Sequence, residues 1–407
     1  MDFDNIRGVI ELGNINLKCV IFEISDNNEL KILSNSIMKT DGIHNGVVVN
    51  INRASKAIRS CISDAEKKIN ISLKKINVVL EQPEFLCTKF SKVRKINGSK
   101  IYKEDIDFLL KEAKKEVTLN DEKQDIIHIF NHNYIVDGKT FVEEPINVYA
   151  DSLTHEMTFV TMPKNNAKNI NQTFFDCDIE VERFFSSTFS LAARLLNRNE
   201  LQHGSMLIDF GHEKTSLGLF KNLALVHSLT FPIGTNHITK DISKVCKLNL
   251  VEAENIKNKI NLSFENKQEL FDEKNYLKEI YFRDSSFRKV SKLLILNIVK
   301  ARLDEIFQIV KKQILETDHN ATFERNLYIV GEGSELINLE EYCSNYFGFH
   351  VNKFDKNKKK EESSILGACL GAAKIIKDGW ETEAIPEPAS KYSKKSSFFD
   401  KIFGKAT

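Results

Sequence analysis

Apolar and polar residues alternate through residues 8–38 in three runs, broken at Gly13-Asn14 and at Asp26-Asn27-Asn28, which predicts strand, turn, strand, turn, strand. The spacing then changes. Across residues 52–69, Ala54, Ala57, Ile58, Cys61, Ile62 and Ala65 recur at helical intervals, and residues 77–80 give a further strand, so a helix should cover a strand-rich α/β layer. The same order returns later. Residues 206–210, 216–220 and 223–230 read as strands, helices follow over 236–246, 250–260 and 287–314, and 327–330 is a buried-type strand. Two related half-molecules are the economical reading. Between them, 102–116 reads as an amphipathic helix while 126–136 and 156–162 alternate as strands, which suggests a small inserted α+β domain. A last helix over 364–377 ends ahead of Gly379, and residues 380–395, with Pro386 and Pro388, read as a flexible linker.

With 407 residues, 42% hydrophobic and 28% charged, the chain can bury more than one core and stay soluble. Its 58 basic and 57 acidic residues leave a formal charge of +1, so no global field attracts nucleic acid, and none is expected as a partner. Seven scattered cysteines read as reduced core thiols of a cytoplasmic protein. The acidic N-terminus has no apolar h-region and no stretch reaches the ~20 apolar residues of a spanning helix, so neither secretion nor membrane insertion is expected.

Two strings, Val9-Ile10-Glu11-Leu12-Gly13-Asn14 and Leu207-Ile208-Asp209-Phe210-Gly211-His212, repeat one design: an apolar strand, a carboxylate near its end, then a glycine turn. Glu11 and Asp209 are candidates to hold hydrated Mg²⁺, and Gly13 and Gly211 let backbone N–H groups approach phosphate, which implies a nucleotide between lobes. The alternative is that both carboxylates only cap turns. Glu254 and Lys257 lie one helical turn apart, placed to meet one ligand or to form a plain surface ion pair.

In the tail, Phe398, Phe399, Ile402 and Phe403 fall at helical spacing with Lys401 and Lys405 off that face, the pattern of an interfacial membrane anchor. Burial of the four apolar side chains contributes at most ~1.5–3 kcal/mol each, and each nearby lysine about 1 kcal/mol on anionic lipid. The rival is a disordered tail or one packed on its own core. His128 and His132 share a strand face about 13 Å apart, too far for one metal. The run Lys356 to Lys360 reads as a solvated loop.

Taken in order, these motifs resemble the actin/Hsp70/sugar-kinase ATPase superfamily, and within it the FtsA family of bacterial cell-division proteins. Phe231-Pro232-Ile233-Gly234-Thr235-Asn236-His237-Ile238-Thr239-Lys240-Asp241-Ile242 resembles the segment entering subdomain 2B, and Ala253-Glu254-Asn255-Ile256-Lys257 the signature whose acid and amine flank the nucleoside. The resemblance implies a duplicated actin-like ATPase fold, two lobes around a nucleotide cleft, with an inserted 1C-type domain and a C-terminal amphipathic helix. Its boundaries would be 1–76 and 161–204 for subdomain 1A, 77–160 for the insert, 205–232 and 317–362 for 2A, 233–316 for 2B, 363–379 for a closing helix on 1A, 380–395 for the linker and 396–407 for the membrane helix.

It also implies ATP with Mg²⁺ as cofactor, at Glu11, Gly13, Asn14, Asp209, Gly211, Gly234, Glu254, Lys257, Gly331 and Gly333. The phosphate motifs depart from the family's pattern. Asn14 stands where Thr or Ser is usual, His212, Glu213 and Lys214 replace a glycine-rich run, and Glu332 replaces the second glycine of the third turn. Weak or lost nucleotide binding and at most a weak ATPase are therefore expected.

The implied role is an adaptor on the cytoplasmic face of the inner membrane at the division site, joining FtsZ filaments to anionic lipid. Arg288, Lys292 and Arg302 are candidates for the acidic FtsZ C-terminal tail, and the insert for self-association into filaments or mini-rings and for later division proteins. The alternatives are an active actin-fold ATPase or carbohydrate kinase, which needs a base and an intact phosphate cradle, and an actin-like pilus-assembly adaptor.

Overall fold

The computed structural model describes residues 5–142, 144–263, 269–317, 326–353 and 365–378. The expectations for the 380–395 linker, the 356–360 loop and the membrane residues Phe398, Phe399, Lys401, Ile402, Phe403 and Lys405 lie outside these. The described residues form two compact units: those within 5–203, 220–229 and 365–378 group in the first, those within 204–219 and 230–353 in the second.

The chain opens with the expected three strands, β1 (Ile6–Leu12), β2 (Asn16–Ile24) and β3 (Leu30–Lys39), then a short hairpin of β4 (Ile43–His44) and β5 (Val47–Val48). Asn45 and Gly46 at its tip both take positive φ, the turn that hairpins of this length favour. Helix α1 (Ile51–Lys67) starts where the Asn50 side chain accepts from the Arg53 N–H at 3.0 Å. Its apolar face lies on β2 and β3, and two serines tie it down: Ser34 Oγ donates to the Ala65 carbonyl at 2.8 Å and Ser36 Oγ to that of Cys61 at 2.6 Å. Strand β6 (Lys75–Leu80) pairs in parallel with β1.

The insert follows as β7 (Leu86–Lys100), α2 (Lys103–Asn120), β8 (Gln124–Val136), β9 (Thr140–Val142) and β10 (Tyr149–Pro163). Its sheet order is β7-β10-β8-β9. Leu110, Ala113 and Val117 of α2 pack with Ile129, Met157 and Phe159, and Leu109 joins Ile96, Tyr134 and Leu153 in a second cluster. Residues 77–80, expected at the start of this insert, belong instead to the body sheet through β6. A strand buried along residues 76–80 is best placed between parallel neighbours.

After α3 (Lys164–Phe175) come β11 (Glu180–Ser186), parallel to β6, then α4 (Ser187–Leu195) and the single turn α5 (Arg198–His203). The second half follows as β12 (Ser205–Phe210), β13 (Thr215–Lys221), β14 (Ala224–Phe231), α6 (Thr235–Cys246), α7 (Leu250–Lys259), α8 (Lys292–Thr317), β15 (Leu327–Val330), α9 (Leu339–Phe347) and β16 (Val351–Lys353). Helix α10 (Gly367–Asp378) returns to the first unit and packs on α4. There a side chain on Gly371 would run into the Ser190 carbonyl, so only glycine lets the two helices come this close.

The two large sheets run β11-β6-β1-β2-β3 and β14-β13-β12-β15-β16. Numbered by chain order within each half, both read 3-2-1-4-5. The duplication inferred from the strings around Glu11 and Asp209 is thus a duplication of topology, with each carboxylate on the central first strand.

Candidate functional site

In the first unit, Glu11 faces Lys18 across the β1–β2 ladder. The ammonium lies 3.1 and 3.2 Å from the two carboxylate oxygens, and both side chains are largely buried. The carboxylate proposed for Mg²⁺ is therefore held by an internal cation, and a divalent ion has to displace an ammonium to reach it. Magnesium does not fit this loop in that state.

Gly13 is required by its own turn, since a Cβ would sit 2.5 Å from the Asn16 carbonyl. Asn14, the expected phosphate donor, is spent on the neighbouring hairpin: its Nδ2 donates to Asn45 Oδ1 at 2.8 Å and its Oδ1 accepts from the Asn45 N–H at 2.6 Å. Thr40 Oγ1 donates to the Gly13 carbonyl at 2.7 Å, which closes the loop further. Asn14 thus acts as an internal clasp between the first turn and the hairpin.

In the second unit, Asp209 lies one residue before the end of β12, opposite Val330. Gly331, at φ +88°, leaves space for its carboxylate, because a Cβ there would lie 2.5 Å from Asp209 Oδ1. Gly333 lies flat against the buried Phe210 ring. Residues 332–335 form a 3-10 turn rather than an open loop, closed by the Ser334 hydroxyl donating to the Gly331 carbonyl at 2.6 Å.

The 211–214 loop folds onto the start of α6. The Thr235 N–H donates to the Gly211 carbonyl at 3.0 Å and the Asn236 N–H to that of His212 at 2.8 Å, so these helix-terminal donors, which would otherwise suit an anion, are already paired. Asn236 Nδ2 also donates to Glu213 Oε1 at 2.5 Å, with Lys240 3.8 Å from the other oxygen. Gly234 has no space for a side chain, because the Gly211 carbonyl lies 2.6 Å from where a Cβ would be.

Glu254 and Lys257 do meet, but each other: Lys257 Nζ donates to both Glu254 oxygens at 2.8 Å. Burial alone would raise the Glu254 pKa, but hydrogen bonds from Lys257 and Thr239 outweigh it and hold the carboxyl below its ordinary range. The ammonium is buried, while the carboxylate keeps a third of its surface open.

The three cations proposed for a partner's acidic tail separate. Arg302 is bidentate on Asp241, at 2.7 and 3.1 Å, and also pairs with Glu305, so it is committed to the helix packing of α6 and α8. Lys292 is buried, which lowers its pKa, and its Nζ lies 6.0 Å from the Phe271 ring. Arg288 lies before the helix, not on it. Helix α8 begins at Lys292, with the Ser291 hydroxyl accepting from the Leu294 N–H at 3.2 Å, because Val290 and Lys292 are drawn into backbone pairing with Leu277 and Asn275. Arg288 Nε is buried without a hydrogen-bond partner among the described residues.

Sequence reasoning missed Glu252. This buried carboxylate accepts from the Asp284 and Ser285 N–H groups at 2.8 and 3.1 Å, from the Asn249 N–H at 3.0 Å and from Ser285 Oγ at 2.5 Å. Burial by itself would raise its pKa, but these bonds prevail and push it down to about 2. Asn249 three residues before Glu252 is a capping-box signal that was legible; the long-range bonds to 284–285 were not. They hold the 282–288 segment beside the start of α7, where Leu250, Val251 and Phe287 are exposed. His128, in contrast, is a core residue: it is fully buried among Phe130, Phe185 and Phe189, accepts from the Ser186 N–H at 2.9 Å, and burial lowers its pKa to about 3.

Comparison with known proteins gives a consistent answer. The model of the cell division protein FtsA matches residues 206–367, and that of the SHS2 domain inserted in FtsA matches residues 85–161, so that together they cover more than half of the chain. The chain is 24% identical over 356 residues to the cell division protein FtsA of Streptococcus pneumoniae, covering 86% of this chain and 75% of the relative. It is 23% identical over 344 residues to that of Neisseria meningitidis, covering 84% and 82%. Among solved structures, a PilM-PilN type IV pilus biogenesis complex aligns at TM-score 0.61 and 13% identity, over 90% of this chain and 97% of the other. MreB5 of Spiroplasma citri bound to ADP aligns at 0.55 and 13%, over 91% and 98%. These likenesses establish the actin-like ATPase fold, and the 85–161 match falls on β7–β10.

Proposed function

A chain that belongs to the FtsA family of cell-division proteins works in cell division, and from that premise we propose that this one acts as an adaptor rather than by turnover, joining FtsZ filaments to the cytoplasmic face of the membrane. The observation that carries the reading is the internal commitment of its phosphate loops: Glu11 on Lys18, Asn14 on Asn45, and the α6 N–H groups on the 211–214 loop. A phosphotransferase needs those groups available to stabilise transferring charge. Nucleotide binding of the kind seen in the ADP complex of MreB5 is proposed to persist here weakly, through the Glu254–Lys257 side, with ATP hydrolysis slower still.

The acidic FtsZ tail is proposed to dock on the second unit around exposed Leu250, Val251 and Phe287, with Arg283, Arg288 and Lys289 supplying charge. Arg302, already neutralised by two carboxylates, is the weakest of the candidate cations. Lipid attachment is assigned to residues 396–407. Among the described residues no helix is long and apolar enough to cross a membrane. The test is co-sedimentation of FtsZ with anionic liposomes, using the full chain and a chain lacking residues 396–407, with ATP binding measured in parallel. FtsZ should pellet only with the full chain. FtsZ recruitment that survives the truncation, or tight Mg-ATP binding with multiple turnovers, refutes the adaptor reading.

A further inference from the structure

The inserted domain leaves one long strand at the edge of its sheet. In the order β7-β10-β8-β9, β7 has a neighbour on one side only, and its register with β10 runs unbroken from Leu86 to Lys95 before shifting near Ser152. Among the described residues, no backbone group of 86–95 bonds to anything beyond that ladder. An open edge of ten residues is a template for one more strand.

Its charge is one-sided. Residues 86–100 carry Lys89, Lys92, Arg94, Lys95 and Lys100 and no acid. Even-numbered positions face α2, where Lys92 pairs with Glu116, Arg94 with Asp105 at 2.9 Å, and Phe90 packs edge-on to Phe159. On the other face Lys89, Ser91, Val93 and Lys95 are all exposed, Val93 to 64%, and neither lysine has an ion pair among the described residues. The two unneutralised cations thus flank an apolar residue at strand spacing, 89-x-91-x-93-x-95.

We infer that the β7 edge receives an extended acidic segment of a partner protein, which adds a fifth strand to the insert and sets carboxylates beside Lys89 and Lys95 and an apolar side chain beside Val93. The inference deepens the reading of the insert as the receiver of later division proteins, and rests on it. A second copy of this chain does not suit the same edge: antiparallel self-pairing about Val93 would set Lys92 against Arg94 and bring Lys89 and Lys95 of both strands into one row. Backbone bonds supply the attachment and the lysines choose the sign of what binds.

The experiment uses the full chain and a fluorescent nonapeptide with five threonines on one strand face and Glu, Thr, Val, Glu on the other, with a twin carrying Lys for Glu. The acidic peptide should bind the native chain and lose at least about tenfold in affinity to a Lys89→Glu/Lys95→Glu variant, as expected for two cross-strand pairs turned repulsive. The lysine twin should prefer the variant. Hydrogen exchange should slow at every second amide of residues 87–95 on binding, a readout that loose charge attraction does not produce. Absence of binding, unchanged affinity in the double variant, or binding without protection of β7 overturns the inference and leaves the lysines as guards against edge-to-edge aggregation. FtsZ co-sedimentation by the same proteins separates the two readings: a native chain that carries FtsZ to lipid but ignores the acidic peptide fails on the edge alone, whereas the reverse result removes the adaptor role and keeps the edge.

Discussion

Replacing Glu252 by Gln tests whether one carboxylate organises the proposed FtsZ-docking face. The side chain receives three backbone N–H donors and one hydroxyl, joining α7 to residues 284–285. Glutamine keeps the shape but turns an NH₂ toward N–H donors, which leaves buried donors unpaired. The pKa falls from an ordinary 4.5 to about 2 in the fold. Because the folded value is the lower one, the carboxylate's contribution is complete above about pH 4.5 and is lost as pH falls toward 2. The shift corresponds to about 3 kcal/mol as a ceiling, and to roughly 1–2 kcal/mol once screening near the exposed segment is allowed for.

The assay is thermal unfolding of the native chain and Glu252→Gln from pH 7 to pH 2.5. For a unit of this size each kcal/mol is worth about 2–4 °C, so the variant should melt about 2–8 °C lower at pH 7. The gap should close on acidification through the window from 4.5 toward 2. FtsZ-tail binding should weaken in parallel, because the segment bearing Phe287 and Arg288 loses its tether. Equal melting at pH 7, or a gap that does not change with pH, refutes the assignment.

Other outcomes follow from the packing. Gly371→Ala should destabilise the first unit by about 3 kcal/mol or more, since the new methyl meets the Ser190 carbonyl in a close-packed helix pair; urea unfolding measures it, and a neutral variant would contradict the α4–α10 contact. The buried thiols should resist iodoacetamide at pH 8 until the chain unfolds, because burial raises Cys19 and Cys369 well above the usual thiol range and Cys246 to about 11. Fast labelling of the native protein, located by peptide mass analysis, would show that these sites open. Arg302→Glu should leave FtsZ-tail binding within about twofold while lowering stability, whereas Arg288→Glu should weaken binding; the opposite ranking would move the docking face.

Periodicity and turn chemistry alone determined the elements whose faces are strongly biased. The three opening strands, the helix covering them, and the paired strand-carboxylate-glycine strings were legible because alternation and helical spacing are local properties. The long β7 strand was not, since its α2-facing positions include Lys92 and Arg94, so the alternation of burial is not written as an alternation of polarity. Arg288 suits a helix by its local sequence, and only pairing of its neighbours with Asn275 and Leu277 draws it out.

The candidate site divides in the same way. Which residues end the central strands is written in the chain; what their side chains do with their charge is not. Lys18 meets Glu11 through hairpin register, Asn14 meets Asn45 through the position of a second hairpin, and Glu252 meets residues more than thirty positions away. An ionised or polar group takes whichever partner folding brings within hydrogen-bond reach, and that choice belongs to the tertiary structure because burial makes an unpaired group too costly to leave alone.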